Sequence, residues 1–389
     1  MGILRLFSNT MLRIGTFRSY QIVLLACAAL AVVAFYYFGS ERQNFSSTTK
    51  RIKETQASHN ANRNDADLSV DTGPPPEADQ VRMRRTHKQA ELARHYHALM
   101  MFTKLDRSKG LQAKFQVAMR SLVEHGRFLE EETLLLHFVS DDASRQLGEK
   151  MLPGLLLDAS FKYDVLFHDV AALTEKLYPI VEAMQKHFSA GSGAYYSDSI
   201  FFLSVAMHRI MPSELTRIVQ LDLDLKYQAN IRDLFQEFDG FPPDAVIGIV
   251  REMQPVYRHT FWQYRKENPR SGVGDPPPEG QPGFNSGVML LDLEAMRVSA
   301  LYNQLLEPER VARLADKYHF RGHLGDQDFF TMIGMEHPEL FQPLACGWNR
   351  QLCTWWREHG YADIFQLYYH CDGPVYIYHG NCNTPIPDD

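Results

Sequence analysis

Gln220-Leu221-Asp222-Leu223-Asp224-Leu225 decides how this chain is read. It follows Ile218-Val219, a short apolar run that predicts a buried strand. Strand side chains alternate between faces, so Asp222 and Asp224 are expected to point the same way at the strand's C-terminal end. Open α/β sheets bind their ligands beyond those carboxyl ends. Adjacent carboxylates repel unless a cation lies between them, and a hard divalent ion meets that need, with room for a phosphate on its far side. Alone, an Asp-x-Asp pair is a weak signal, because most such pairs are solvated turns or caps.

Working outward, strand and helix signals alternate. His97 to Thr103 predicts the first buried strand, and Leu111 to Phe128 repeats apolar residues at helical spacing. Leu134 to Val139 is a second strand, closed by Ser140-Asp141-Asp142 as a helix N-cap. Tyr163 to Phe167 is a third strand. Asp169 to Phe188 predicts a helix interrupted at Pro179, and Ser199 to Ile210 is apolar and helical up to Pro212. This alternation predicts an α/β layered sheet. Beyond Asp224, Val246 to Val250 is a strand and Arg265 to Gln281 a Pro/Gly-rich loop. Gly283 to Leu291 is a turn running into a strand, and Pro308 to Tyr318 is a helix. His323 to Phe330 puts polar residues at a loop or helix start, and Cys371 to Asp389 is a coil tied by disulfides. There is no internal repeat. Neither a Gly-x-Gly-x-x-Gly nor a Walker loop is present, so dinucleotide dehydrogenases and P-loop ATPases lack their signature.

The 389 residues leave room for one large domain plus extras, or two ordinary ones. The formal net charge of −7 gives no basic bias, which argues against a nucleic-acid partner. Gln21 to Phe38 is an uncharged apolar stretch of spanning length, preceded by Arg5, Arg13 and Arg18 and ending near Tyr36-Tyr37. The expected layout is a cytoplasmic tail over 1–20, a signal-anchor span over 21–38, a polar luminal stem over 39–94 and a luminal domain over 95–389. A cleaved signal peptide is the alternative, but the apolar core is long for one and no small-x-small site precedes Glu41-Arg42. The stem carries an Asn44-Phe45-Ser46 sequon too near the membrane to expect its use. Cys346, Cys353, Cys371 and Cys382 crowd the last stretch, which suits disulfides in an oxidising lumen. Their wide spacing disfavours a zinc cluster. Four cysteines allow three pairings; the expectation is Cys346–Cys371 with Cys353–Cys382.

Four features in order now become specific: the Asp-x-Asp, the Phe284-Asn285-Ser286-Gly287-Val288-Met289-Leu290-Leu291 segment, the Gly325-Asp326-Gln327-Asp328 turn, and Tyr378-His379-Gly380. Together they resemble glycosyltransferase family 8, retaining enzymes of the GT-A fold, over most of Tyr96 to Asn383. The resemblance implies an α/β GT-A domain with a mostly parallel, Rossmann-like sheet behind an N-terminal transmembrane anchor. It implies that Asp222, Asp224 and His379 hold Mn²⁺, with Mg²⁺ as a substitute, against the diphosphate of UDP-xylose. Met101, Phe102, Thr103, Asp198, Leu223, Asn285, Ser286, Gly287, Leu324, Gly325 and Gly380 are expected to line the donor. Gln327 is expected under the anomeric carbon, with Asp326 and Asp328 on sugar hydroxyls. An amide is a poor nucleophile, so front-face attack by the acceptor hydroxyl is expected, with a carboxylate nucleophile as the alternative.

The short anchor, Trp355-Trp356 and Gly380-Asn381-Cys382-Asn383 resemble one animal branch of the family. That likeness implies an α-1,3 link from xylose to the xylose of xylosyl-glucose on EGF repeats of Notch-type proteins. Trp355, Trp356, Asn381 and Asn383 would then meet the acceptor. It also implies an endoplasmic reticulum membrane, type II orientation; the Golgi is the alternative, and no retrieval tetrapeptide separates them. The rival class is a catalytically silent luminal lectin or scaffold gripping glycosylated EGF modules through the two tryptophans. Two departures stand out. The late segment lacks the family's diphosphate lysine, and Asp198 fills the slot where the family often has an arginine.

Overall fold

The computed structural model describes residues 95–189 and 199–387. The main sheet has seven strands in the order β3-β2-β1-β4-β7-β6-β8. These are β1 (His95–Phe102), β2 (Thr133–Ser140), β3 (Lys162–Asp169), β4 (Arg217–Leu221), β6 (Ile247–Arg251), β7 (Phe284–Asp292) and β8 (Phe341–Pro343). β1 to β4 run parallel, β7 is antiparallel to both β4 and β6, and β8 rejoins β6 in parallel. A second sheet, β5-β10-β9, is built from β5 (Leu225–Tyr227), β10 (Ile377–His379) and β9 (Arg350–Gln351).

Both faces of the main sheet are buried. Leu99, Ile218, Met289 and Leu291 join one core, while Ala98, Met100, Val219, Val288 and Leu290 join the other. A strand covered on both sides reads as a continuous apolar run, which is why these strands are visible in the sequence. On the second face the helix Lys109–His125 buries Phe115, Ala118, Met119 and Leu122, and Ser108 caps it by accepting from the Leu111 N–H. The hydroxyl of Ser121 accepts from the Tyr227 N–H and so fastens this helix to β5.

Several elements differ from expectation. Asp169 to Phe188 is two helices, Val170–Lys176 and Tyr178–Phe188, and the break falls at Leu177. Pro179 lies in the first turn of the second helix, where its missing N–H leaves no bond unmade. Ser199 to Ile210 is not one α-helix but two 3-10 segments, Ser199–Phe202 and Ser204–Arg209. Nearly every side chain there is buried, so packing on all sides replaces an amphipathic face. The helix Trp262–Glu267 reaches into the Arg265–Gln281 loop, and β10 lies inside the expected C-terminal coil. Of the three possible pairings the fold forms Cys346–Cys371 and Cys353–Cys382, which tie β9 and its flanks to the tail.

The tail, span, stem, sequon and Asp198 lie outside the described residues. Among the described residues no helix is long and apolar enough to cross a membrane.

Candidate metal centre and active site

β4 ends at Leu221 and β5 begins at Leu225 in the other sheet, so Asp222, Leu223 and Asp224 form the bridge between sheets. The sequence reading put both aspartates on the strand; it is the change of sheet that aims them. The bridge is gripped through its backbone: Asp222 N–H donates to the Gly287 carbonyl (2.9 Å) and Gly380 N–H to the Asp224 carbonyl (2.8 Å). His379 ends β10, paired with Leu225 across the ladder. Its Nε2 therefore lies 3.4 Å from Asp222 Oδ2 and 3.4 Å from Asp224 Oδ1. One ligand atom from each residue falls within 4.8 Å of the others.

The electrostatics call for a cation. Burial alone would lower the His379 imidazole, but Asp224 and Asp222 outweigh it and push it up to about 10. Burial would raise Asp224, yet His379 and then Lys114 hold it down at about 2. His379 Nδ1 lies 2.9 Å from Asn349 Oδ1, an acceptor, so Nδ1 donates there and Nε2 can offer its lone pair between the carboxylates. One imidazole nitrogen and two carboxylate oxygens form a donor set that fits a divalent ion of mixed O/N preference. Gly287 lies under the ring: a Cβ there would overlap His379 Cε1 and Nδ1. Lys114, from the helix Lys109–His125, reaches the same spot, donating to the Gly380 carbonyl (2.7 Å) with Nζ 3.5 Å from Asp224 Oδ2.

The helix Asp326–Glu336 starts beside this centre, after Gly325, whose φ of 71° suits a glycine. Asp326, Gln327 and Asp328 are all buried. Asp326 accepts from the Ser204 and Ser286 hydroxyls and from the Gln327 N–H. Asp328 accepts from the Tyr257 hydroxyl (2.9 Å) and the Leu324 N–H (2.8 Å). These carboxylates, expected on sugar hydroxyls, also accept from protein donors and so anchor the helix start. The Gln327 amide is held at both ends: Nε2 donates to Glu252 Oε2 (3.1 Å) and Oε1 accepts from the Ser286 N–H (3.3 Å).

Burial pushes Glu252, Asp326 and Asp328 each up to about 7. A carboxyl raised in the fold binds its proton more tightly there than when unfolded, so its contribution is present at low pH and lost as pH rises through 7. Buried histidines pull the other way: burial lowers His97 and His208 to about 4 and His137 to about 3. They act only below their ordinary 6.5. Above about pH 6.5 two kinds of group still hold protons that the unfolded chain has lost: the carboxyls up to about 7, and, without a metal, His379 up to about 10. The Tm of chelator-treated protein is expected to fall between about pH 6.5 and 8, and Asp328→Asn to lessen the slope below about pH 7 while the His379 part above it stays; a wild-type Tm that rises there would contradict this.

The remaining candidates are placed as follows. Phe102 is fully buried against Phe115 and Phe138, so its side chain is core, while Met101 and Thr103 are half-buried at the end of β1. Leu223 is buried, and Leu324 and Gly325 lead into the Asp326 helix. Trp355 is 50 % exposed and stacks on His359, while Trp356 packs on the core and on His259. Asn381 Oδ1 already accepts from the Leu352 and Cys353 N–H groups, and Asn383 is exposed with φ 58°. Sequence reasoning missed Glu252, Asn349 and Lys114. None of the three carried a signal of its own in the sequence.

The sequence pattern described as Glycosyl transferase family 8 matches residues 156–361. The chain is 62 % identical to mouse (Mus musculus) xyloside xylosyltransferase 1 and 61 % identical to the human (Homo sapiens) protein, each over 100 % of both chains. The crystal structure of mouse xyloside xylosyltransferase 1 in its apo form superposes with a TM-score of 0.71 at 69 % identity, covering 75 % of this chain and 99 % of that one. The architecture is thus GT-A-like, an α/β fold with a mostly parallel central sheet. On sequence and fold, this chain belongs to glycosyltransferase family 8.

Proposed function

We propose that the protein is a retaining, Mn²⁺-dependent xylosyltransferase. It takes xylose from UDP-xylose and forms an α-1,3 link to the xylose of xylosyl-glucose on EGF repeats. The observation that carries this is the convergence of Asp222, Asp224 and His379 beside a held Gln327 amide. Full-length identity to relatives named as xylosyltransferases supports the choice of sugar. When bound, Mn²⁺, with Mg²⁺ as a substitute, offsets charge on the diphosphate leaving group.

The chain's own residues do the rest. Asp326 and Asp328, buried and hydrogen-bonded, are poorly placed as nucleophiles. The acceptor hydroxyl attacks on the front face: its oxygen bonds to the anomeric carbon as the bond to phosphate breaks, and its proton passes to the departing phosphate oxygen. Gln327, locked between Glu252 and Ser286, keeps its carbonyl in one orientation beside that carbon.

Lys114 takes the role of the absent late lysine, holding an ammonium beside Asp224 and Gly380 where the diphosphate would lie. Lys114→Met is expected to weaken UDP binding by about 10–100-fold, the worth of one charge-assisted hydrogen bond or two, and to spare uridine binding. Equal loss for UDP and uridine in calorimetry would point to a fold defect instead.

The half-exposed Trp355, with Trp356, Asn381 and Asn383, makes up the acceptor side. In the cell, residues 21–38 anchor the protein as a type II membrane protein of the endoplasmic reticulum, with 95–389 luminal. A donor panel decides between transferase and silent lectin: UDP-sugars are offered with Mn²⁺ and a xylosyl-glucosyl EGF repeat. UDP-xylose consumption supports transfer, and binding of the repeat without turnover favours the lectin.

A further inference from the structure

Glu252 is a buried carboxyl at the end of β6 to which no motif assigns a role. The β6–β7 register slips between Ile249 and Val250, just before it, and such bulges re-aim side chains beside functional sites. Its Oε2 accepts from two amides at once, Asn285 Nδ2 (3.1 Å) and Gln327 Nε2 (3.1 Å). Its Oε1 is buried and takes no side-chain hydrogen bond, with only the Gln254 backbone acting on the carboxyl besides the two amides. A carboxyl that accepts twice on one oxygen in the dry interior is a costly feature to keep for packing alone.

What the two amides do next follows from their chemistry. With its NH₂ on Glu252, Asn285 must turn its oxygen the other way, where it accepts from the Gly287 N–H (3.1 Å) and from Asn349 Nδ2 (2.9 Å). Asn349 has then spent its NH₂, so its oxygen faces His379 Nδ1 at 2.9 Å. The imidazole has to donate there, which leaves Nε2 without a proton of its own once a metal arrives. Asn285 is oriented from both ends, its NH₂ by Glu252 and its oxygen by the Gly287 N–H, and Asn349 gives its NH₂ to the Asn285 side-chain and backbone oxygens, so the direction begun at Glu252 carries to the histidine. The same Oε2, together with the Ser286 N–H, fixes which end of the Gln327 amide is the oxygen.

We infer that Glu252 is a positioning residue, whose Oε2 directs a buried amide relay through Asn285 and Asn349 that keeps the His379 Nε2 lone pair facing Asp222 and Asp224 and holds Gln327 in one orientation. This rests on the metal reading proposed above. It also makes the metal site and the transfer site a single hydrogen-bonded unit. Reversal of the relay would put a proton on the ligating nitrogen.

The test is Mn²⁺ titration of the purified full-length chain without nucleotide, following free Mn²⁺ by electron paramagnetic resonance, with melting curves run alongside. Glu252→Leu removes the acceptor and is expected to raise the Mn²⁺ Kd by about 10–100-fold, the usual effect of losing a ligand's supporting partner. Glu252→Gln can still accept with its carbonyl and is expected to recover part of that loss. Asn349→Ala cuts the relay one step from the histidine while leaving Gln327 held. It should weaken Mn²⁺ to a similar degree but keep kcat at saturating metal above that of Glu252→Leu. If Glu252→Leu does not fold, Asn349→Ala decides alone. Wild-type Mn²⁺ affinity in a folded Glu252→Leu or Asn349→Ala protein would overturn the relay. A wild-type chain that binds no Mn²⁺ would overturn the metal reading itself, a separate result.

Discussion

Asp224→Asn is expected to reduce sugar transfer by at least about 10³-fold while leaving the fold intact, a loss of roughly 4 kcal/mol of transition-state stabilisation. Asp224 is the centre of the site: it meets His379 on one oxygen and Lys114 on the other, and its backbone carbonyl holds Gly380. Amidation keeps the shape and removes one of two anionic ligands. It also removes the main attraction that holds positive charge on His379. Asp222→Asn should act in the same direction. Its side chain is 46 % exposed, against 19 % for Asp224, so water can replace it more readily and its loss should be the smaller. Initial rates with Mn²⁺, beside melting temperatures, check this; full activity in Asp224→Asn would remove the metal centre from the mechanism.

Gly287→Ala is expected to be nearly as damaging, although it adds one methyl group. β7 pairs with β4 as far as Val288 and the Gly287 carbonyl takes the Asp222 N–H, which holds the backbone on that side, while the β6 pairing skips from Met289 to Asn285. The added Cβ would overlap the His379 ring, which is itself fully hemmed in and bonded to Asn349. Overpacking of this kind typically takes about 1–3 kcal/mol from stability. Here the relief available is rotation of the imidazole, which moves Nε2 away from both aspartates. The expected outcome is a lowered Tm, a Mn²⁺ Kd raised by an order of magnitude or more and transfer reduced accordingly. Wild-type metal affinity in this variant would mean that Gly287 serves only the strand.

Much of the framework was legible because the central strands are buried on both faces and so appear as unbroken apolar runs: His97 to Thr103, Leu134 to Val139, Val246 to Val250. The small sheet was not. Leu225–Tyr227, Arg350–Gln351 and Ile377–His379 are too short to carry a period, and they exist because long-range pairing and two disulfides assemble them. The three residues that converge, Asp222, Asp224 and His379, could be named from their order along the chain. What aims them, the step from β4 into another sheet, could not. That Asp326 and Asp328 are held by Ser204, Ser286 and Tyr257, far away in sequence, could not be read from the chain. Glu252 and Asn349 escaped because a buried polar residue gives no pattern until its partners are in place.

The most direct measurement is turnover of a panel of UDP-sugars by the purified full-length chain on a xylosyl-glucosyl EGF repeat, with Mn²⁺ and again with excess EDTA. The expected result is transfer of xylose alone, with the anomeric configuration of the donor retained, abolished by EDTA and restored by added Mn²⁺. Transfer of a different sugar in preference to xylose, or undiminished transfer in EDTA, would contradict the assignment of Asp222, Asp224 and His379 as the metal-bearing heart of a xylosyltransferase.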